Sequence, residues 1–368
     1  MKFDIAIIKS STQNSNNFRK ICGLYPLERN ILILARYGVK KIYLDITNEE
    51  LTFYNQTIKR HLKKFSNTEI IENSEKRPRS EYLEIHANLF TQFGYFNNFD
   101  EYFQKKGNKI VPVLNNDQFQ LEKNSDFTNA KYLVINDIVD NTGSFIAKKI
   151  NKRISIPISL QIVKTRIHPN ILTAFNMLIG IISSVLLLYN NYLNIALGGF
   201  LFQLASVIDG VDGEVAKFTF RESKVGGWLD TITDNLTLFL FLSAVSYLCM
   251  INYSGLLTLI LIIAMFMSLV VMLFIMFNFL RRYSSSESLT AYDKEFLQRL
   301  PKNDILVKFI LLMKFFIKKE FYAMLFFLIT LTGQVYIIVF LTAITIFTGM
   351  IILIILQIKY SSKLIKSD

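Results

Sequence analysis

The stretch Asn194-Ile-Ala-Leu-Gly-Gly-Phe-Leu-Phe-Gln-Leu-Ala-Ser-Val-Ile-Asp209-Gly-Val-Asp212-Gly213-Glu-Val-Ala216-Lys217 decides how the rest of the chain is read. It runs uncharged from Asn194 to Ile208 and then turns abruptly acidic. A helix needs roughly 20 largely apolar residues to cross about 30 Å of hydrocarbon. Working outward, further apolar stretches of about that length occupy 170–189, 226–249, 254–279, 320–334 and 336–358. With 194–216 these predict six transmembrane helices, the fifth rather short, in a multi-pass α-helical membrane bundle, and the segment 304–316 reads as an interfacial helix in preference to part of the fifth span.

Composition agrees. The 368 residues are 51% apolar and their mean hydropathy is +0.33, which excludes disordered, collagen-like and mini-protein classes. The formal net charge of +12 accompanies long uncharged stretches, so an anionic membrane surface fits better than nucleic acid. The 32 Phe and 17 Tyr are read as lipid-facing and interfacial residues rather than base-stacking platforms. Cys22 and Cys249 lie in segments of different character and form no disulfide framework, which suits a reducing compartment.

Loop charge predicts orientation. Lys217, Arg221 and Lys224 lie in one connection, Arg281, Arg282, Lys294, Arg299 and Lys302 in another, and Lys359, Lys363 and Lys366 at the tail. The alternate connections are uncharged, so both termini are expected in the cytoplasm, with the bundle in the inner membrane.

Residues 1–142 have a mixed, globular texture. Phe3–Ile8, Lys41–Ile46, Ile110–Leu114 and Tyr132–Ile135 read as buried strands. Between the first two, Pro26 suits a first helical position, Leu27, Ile31, Leu34 and Ala35 recur at helical spacing, and Gly38 suits a helix end. That βαβ opening predicts an α/β domain. No secretory leader precedes it, so the domain is expected to be cytoplasmic. Residues 143–168 then interleave Phe145, Ile146, Ile150, Ile154, Ile156 and Ile158 with Lys148, Lys149, Lys152 and Arg153, the pattern of an amphipathic helix in the headgroup plane. The bundle takes 169–360, and 361–368 form a cytoplasmic tail.

Asp209, Asp212, Asp230 and Asp234 do not belong in hydrocarbon, where each costs a few kcal/mol unless it meets a cation, a partner or a cavity. Spacings of three and four put each pair on one face of its helix. If the two helices are antiparallel neighbours, the faces converge. Converging carboxylates need neutralising, and an oxygen-only set suits Mg²⁺ or Mn²⁺, cations that commonly hold a diphosphate as well. Acids that merely cap or snorkel at helix ends would explain one or two of the four. His61, His86 and His168 have no metal-ligand spacing among them.

These residues resemble the motif of the CDP-alcohol phosphotransferase family: D-x-x-D-G-x-x-A-R and then G-x-x-x-D-x-x-x-D match Asp209 to Lys217, Gly226, Asp230 and Asp234. His168-Pro169-Asn170-Ile-Leu-Thr173 is similar to the opening of the family's first span, and Lys319-Glu320-Phe321-Tyr322 to that of its fifth. The resemblance implies a membrane enzyme of phospholipid or polyol-phosphate synthesis. It would move a substituted phosphate from a CDP-alcohol, CDP-diacylglycerol or a CDP-polyol, to an acceptor hydroxyl and release CMP. It also implies that Asp209, Asp212, Asp230 and Asp234 form the metal site, with Asp234 as general base. Gly213, Ala216, Lys217, Gly226, Asn170 and Thr173 would then touch substrate, and the enzyme would be a homodimer. Lys217 replaces the family's Arg, keeping the charge and losing the planar fork. A cation-coupled transporter or a non-catalytic membrane scaffold are the alternatives, the former expecting acids near mid-membrane.

Ile21-Cys-Gly23-Leu-Tyr-Pro26-Leu27-Glu28-Arg29, followed by Gly38-Val-Lys-Lys-Ile-Tyr, resembles the nucleotidyltransferases that make NDP-linked polyols, which occur fused to CDP-alcohol transferases in bifunctional inositol-phosphate enzymes. Two departures imply a nucleotidyltransferase-like domain without activity. Ser10–Asn17 has no glycine where a triphosphate-cradling loop belongs, and Ala87-Asn88 has an amide where the family holds a metal with Asp.

Overall fold

A computed structural model of the chain describes residues 3–10, 19–62, 68–72, 78, 80–96, 98–165, 167–283, 296–301 and 303–364. The glycine-free stretch at 11–17, Arg166 and the Ser-rich stretch at 284–288 lie outside them. The chain divides into two compact units. One is Met1–Thr142 with Ile156–Ile167 and Gly213–Glu222; the other is Gly143–Ser155, His168–Asp212 and Ser223–Asp368.

In the first unit, β1 (Ile5–Lys9), β2 (Lys41–Asp45), β3 (Glu69–Glu72), β4 (Tyr82–His86), β6 (Phe103–Lys106) and β7 (Lys109–Pro112) form one sheet in the order β3-β2-β1-β4-β7-β6. Every pairing is parallel except that of β6 with β7. The short β5 (Leu89–Phe90) and β8 (Phe119–Gln120) pair separately. A parallel strand is covered on both faces and so tolerates a continuous apolar run, which is what Ile5-Ala6-Ile7-Ile8 supplies. The crossover from β1 to β2 is α1 (Pro26–Tyr37), with Pro26 in its first turn and Gly38 at φ 98° ending it, and the short α2 (Asn48–Phe53), α3 (Lys59–Leu62) and α4 (Phe99–Tyr102) follow along the chain. Ile8, Leu34, Ile42, Leu44, Leu83 and Ile85 make the core between helix and sheet.

One expected strand is corrected. Tyr132–Ile135 lies inside α5 (Asn124–Asp140), whose buried residues Phe127, Ala130, Val134 and Ile138 recur at helical spacing. A run of four apolar residues carries no period of its own, and the longer pattern around it decides. In the segment expected to lie at the membrane surface, a π turn at Ala147–Asn151 leads into α6 (Lys152–Thr165). Its Phe145, Ile154 and Ile158 are exposed.

The helices that follow are α7 (Pro169–Leu187), α8 (Tyr192–Phe218), α9 (Lys224–Asn252), α10 (Leu256–Tyr283), α11 (Ile305–Ile317), α12 (Lys319–Leu331) and α13 (Tyr336–Leu364). Five of the described helices, α7 to α10 and α13, are long and apolar enough to cross a membrane, so the protein is a membrane protein of multi-pass type. The sixth expected span, 320–334, is not of crossing length. Its helix α12 has 13 residues, about 20 Å at 1.5 Å per residue, because the chain turns at Gly333, held at φ 73°. The 304–316 segment forms the separate α11, capped by the Asp304 side chain.

Small residues let the bundle helices touch. A Cβ added to Gly180 on α7 would stand 2.5 Å from Thr237 Cγ2 on α9, and one on Gly199 of α8 would stand 1.8 Å from Thr330 Oγ1 on α12. Phe202, Phe241 and Phe326, from α8, α9 and α12, stack with centroids 4.1 Å (Phe202 to Phe241) and 5.7 Å (Phe241 to Phe326) apart. The stack fixes the middle of α12 against the two acid-bearing helices.

Candidate metal centre

The site is built where α8 and α9 lie together. Asp209, on α8, and Asp230 and Asp234, one turn apart on α9, each offer an oxygen, and these atoms all lie within 4.8 Å of one another. All three side chains are half-buried. Ser223 caps α9, its Oγ accepting the Gly226 N–H at 2.9 Å, which fixes where the first turn of the acid-bearing helix begins.

Asp212, expected beside the other three, is not in that group. It is 6% exposed and accepts a hydrogen bond from Thr173 Oγ1 on α7. Thr173, expected at the substrate, therefore holds an acid in place. Asn176, one turn further along α7 and 1% exposed, donates from Nδ2 to Asp209 Oδ1 at 3.0 Å. Nothing in the sequence motif singled out Asn176. The signal available was a lone amide in an apolar helix at helical spacing from Thr173.

The second residue missed is Lys319, the first of α12. Its ammonium lies 2.9 Å from Asp209 Oδ1 and pairs with Asp234 Oδ1, and its side chain is 13% exposed. The sequence placed Lys319 at the opening of a span but gave it no partner, because only the packing of α12 brings it to the acids. Asp230 Oδ1 is buried and has no hydrogen-bond partner among the described residues.

The remaining expected residues are placed as follows. Asn170 lies in the first turn of α7, and a Cβ on Gly226 would stand 3.3 Å from its Oδ1, so glycine keeps that approach open. Gly213, Ala216 and Lys217 continue α8 and belong to the first unit. Gly213 has nothing within 4 Å of where a Cβ would stand, and Lys217 is exposed.

Three converging carboxylates with one paired ammonium leave an excess of negative charge among the described residues. The donor set is oxygen alone, and one of its atoms is buried without a donor. Those residues fit a hard divalent cation.

A membrane bundle with a two-helix carboxylate centre defines a class, and comparison with known proteins names it. The family model for CDP-alcohol phosphatidyltransferase matches residues 166–359, more than half of the chain, and the chain belongs to that family. Its similar proteins include three called "Bifunctional IPC transferase and DIPP synthase". The one from Archaeoglobus fulgidus is 35% identical over 129 residues, 35% of this chain and 25% of the relative. Those from Aquifex aeolicus and Thermococcus kodakarensis are 40% and 36% identical, each over 32% of this chain and 26% of the relative. The matched stretch thus spans about a quarter of the length of each. Members of the family generally use divalent metal ions, in keeping with the acidic cluster. The transporter and scaffold alternatives receive no support from these matches.

Proposed function

We propose that the chain is a membrane CDP-alcohol phosphotransferase whose centre is the carboxylate cluster of α8 and α9. The observation that carries this reading is the meeting of Asp209, Asp230 and Asp234 within 4.8 Å in a chain of this family. The acceptor oxygen attacks the phosphorus linked to the donor alcohol. A new P–O bond forms, the bond to CMP breaks, and CMP leaves with the electron pair. Asp234 takes the acceptor's proton.

Asp209, Asp212 and Asp230 would hold Mg²⁺ or Mn²⁺, which supplies neutralisation of the charge that gathers on the diphosphate. Thr173 and Asn176 orient two of those carboxylates. The open surface at Gly213 and Ala216 would leave room for cytidine, Gly226 lets the start of α9 approach substrate, Lys217 supplies charge without a fork, and Asn170 and Thr173 border the same end of α7. The donor is CDP-diacylglycerol or a CDP-polyol. The order of the halves, an α/β nucleotidyltransferase-like domain before the transferase bundle, favours a polar acceptor such as inositol phosphate or a lipid containing it.

We further place the protein in the inner membrane as a homodimer, with both termini cytoplasmic and the divisions 1–142, 143–168, 169–360 and 361–368. Two cytoplasmic termini require an even number of crossings, so α12 would have to carry the chain across despite its length. A protease-accessible tag at the C-terminus tests that directly. The α/β domain is read as nucleotidyltransferase-like and inactive.

The central test is CMP release by the full chain in nanodiscs with CDP-diacylglycerol and CDP-polyols, each with a panel of hydroxyl acceptors. Metal-dependent CMP formation lost in Asp234→Asn is expected. No CMP from any pair, with Mn²⁺ bound, overturns the reading.

A further inference from the structure

We infer that Lys319 is an internal counter-ion that competes with the divalent cation for the carboxylate centre and holds its metal affinity down. The inference rests on the reading of the centre as a metal site and adds a determinant of how it loads.

The ammonium of Lys319 sits on Asp209 Oδ1 and Asp234 Oδ1, and both residues belong to the group whose oxygens converge. At 13% exposed it has little water to fall back on, so the acids are what keep its charge satisfied. A divalent ion in the same place would draw oxygens to about 2.0–2.2 Å and would meet an ammonium already bonded to two of the three. Like charges this close disfavour each other strongly in a half-buried site, so cation entry and the Lys319 contacts exclude one another.

The position is imposed rather than incidental. Lys319 opens α12, and the same helix is fixed four to eleven residues on by buried Ala323, Phe326 and Thr330, with Phe326 in the ring stack and Thr330 against Gly199. The side chain is therefore delivered to the acids by packing that does not depend on a metal. Moving off them costs the ammonium its partners, and that cost is subtracted from cation binding. A substrate diphosphate, bringing negative charge of its own, offsets it, so the centre fills most readily when donor is present.

The test measures free Mn²⁺ by electron paramagnetic resonance during titration of the full chain in nanodiscs, without substrate. Lys319→Met, of similar length without the charge, is expected to bind Mn²⁺ at least tenfold more tightly than wild type. Lys319→Arg, which keeps the charge, is expected to stay within about threefold of it. A residue that merely props up the site would show the opposite, weaker binding in Lys319→Met. Equal or weaker affinity in Lys319→Met overturns the inference. Should that variant not purify as a single species, Lys319→Gln carries the same test. If neither wild type nor the charge-removing variants bind Mn²⁺, the metal-site reading itself falls. Wild-type binding with no tightening removes only the role given to Lys319.

Discussion

The two halves of the molecule handle their polar residues in opposite ways. At the carboxyl ends of β1 and β4 in the α/β sheet, where a ligand crevice belongs in such folds, the polar groups are engaged mainly with one another, although Asn30 Oδ1 and Asn88 Oδ1 are buried without a partner among the described residues. Ser10 Oγ donates to Glu50 and accepts the Thr47 N–H at 2.8 Å, and the Ser10 carbonyl lies 2.9 Å from His86 Nδ1. Asn30 donates to the Leu89 carbonyl at 3.0 Å, and Asn88 is a neutral amide, 2% exposed. In the bundle, acids of like charge are pressed together with one lysine among them. The first arrangement is built from hydrogen bonds with little charge to balance, whereas the second concentrates carboxylates that fit a cation. On the proposed reading, charge concentrated by surrounding structure marks the working site, whichever half looks more like an enzyme domain.

Breaking the contrast at its strongest point means Asp234→Asn. We expect CMP release to fall about 10³-fold, within the range that loss of a general base produces, while Mn²⁺ binding by electron paramagnetic resonance persists. Next comes the support behind the acids. Asn176→Leu removes the donor to Asp209 and should weaken Mn²⁺ binding about tenfold, as loss of a ligand-orienting partner does. A third change tests packing away from the chemistry. Gly199→Ala forces a methyl into Thr330 and should lower stability by about 1–3 kcal/mol in thermal melts, whereas Gly349→Ala, with nothing within 4 Å, should leave the melting temperature in place or raise it slightly.

The α/β half should respond more quietly. Burial pushes the Cys22 thiol up to about 11. The folded state therefore disfavours the thiolate, and this half loses stability as the pH rises from 9 towards 11. Roughly one thiol in a thousand is ionised at pH 8, so maleimide labelling of Cys22 should be slow in the native protein and fast once it is unfolded. Smallest of all, Asn88→Ala should leave CMP release within about twofold, measured beside Asp234→Asn. A collapse comparable to the loss in Asp234→Asn would move catalytic weight into the sheet and erase the contrast.

Much of this was legible in the residues. The βαβ opening could be read because Pro26, Gly38 and the apolar spacing between them agree at every local level. The acids could be read because charge in an apolar run has few innocent explanations. Tyr132–Ile135 reads as a strand because four apolar residues fit either period, whereas α5 is set by burial spread over Phe127 to Ile138. The length of α12 hinged on Gly333 rather than on hydropathy. Lys319, Asn176 and the pairing of Thr173 with Asp212 were out of reach, since they depend on which helices become neighbours, and no local pattern encodes that.

The brevity of α12 has an effect on its surroundings. Leu328 and Leu331 remain exposed near its end, yet the helix is shorter than the hydrocarbon layer is thick. Were α12 to carry the chain across, lipid beside it would have to thin, or water reach down, to meet the polar turn that follows. Acyl-chain length in the host membrane would then be a variable of this protein, with thicker bilayers straining the flank on which Lys319 is mounted and thinner ones relaxing it.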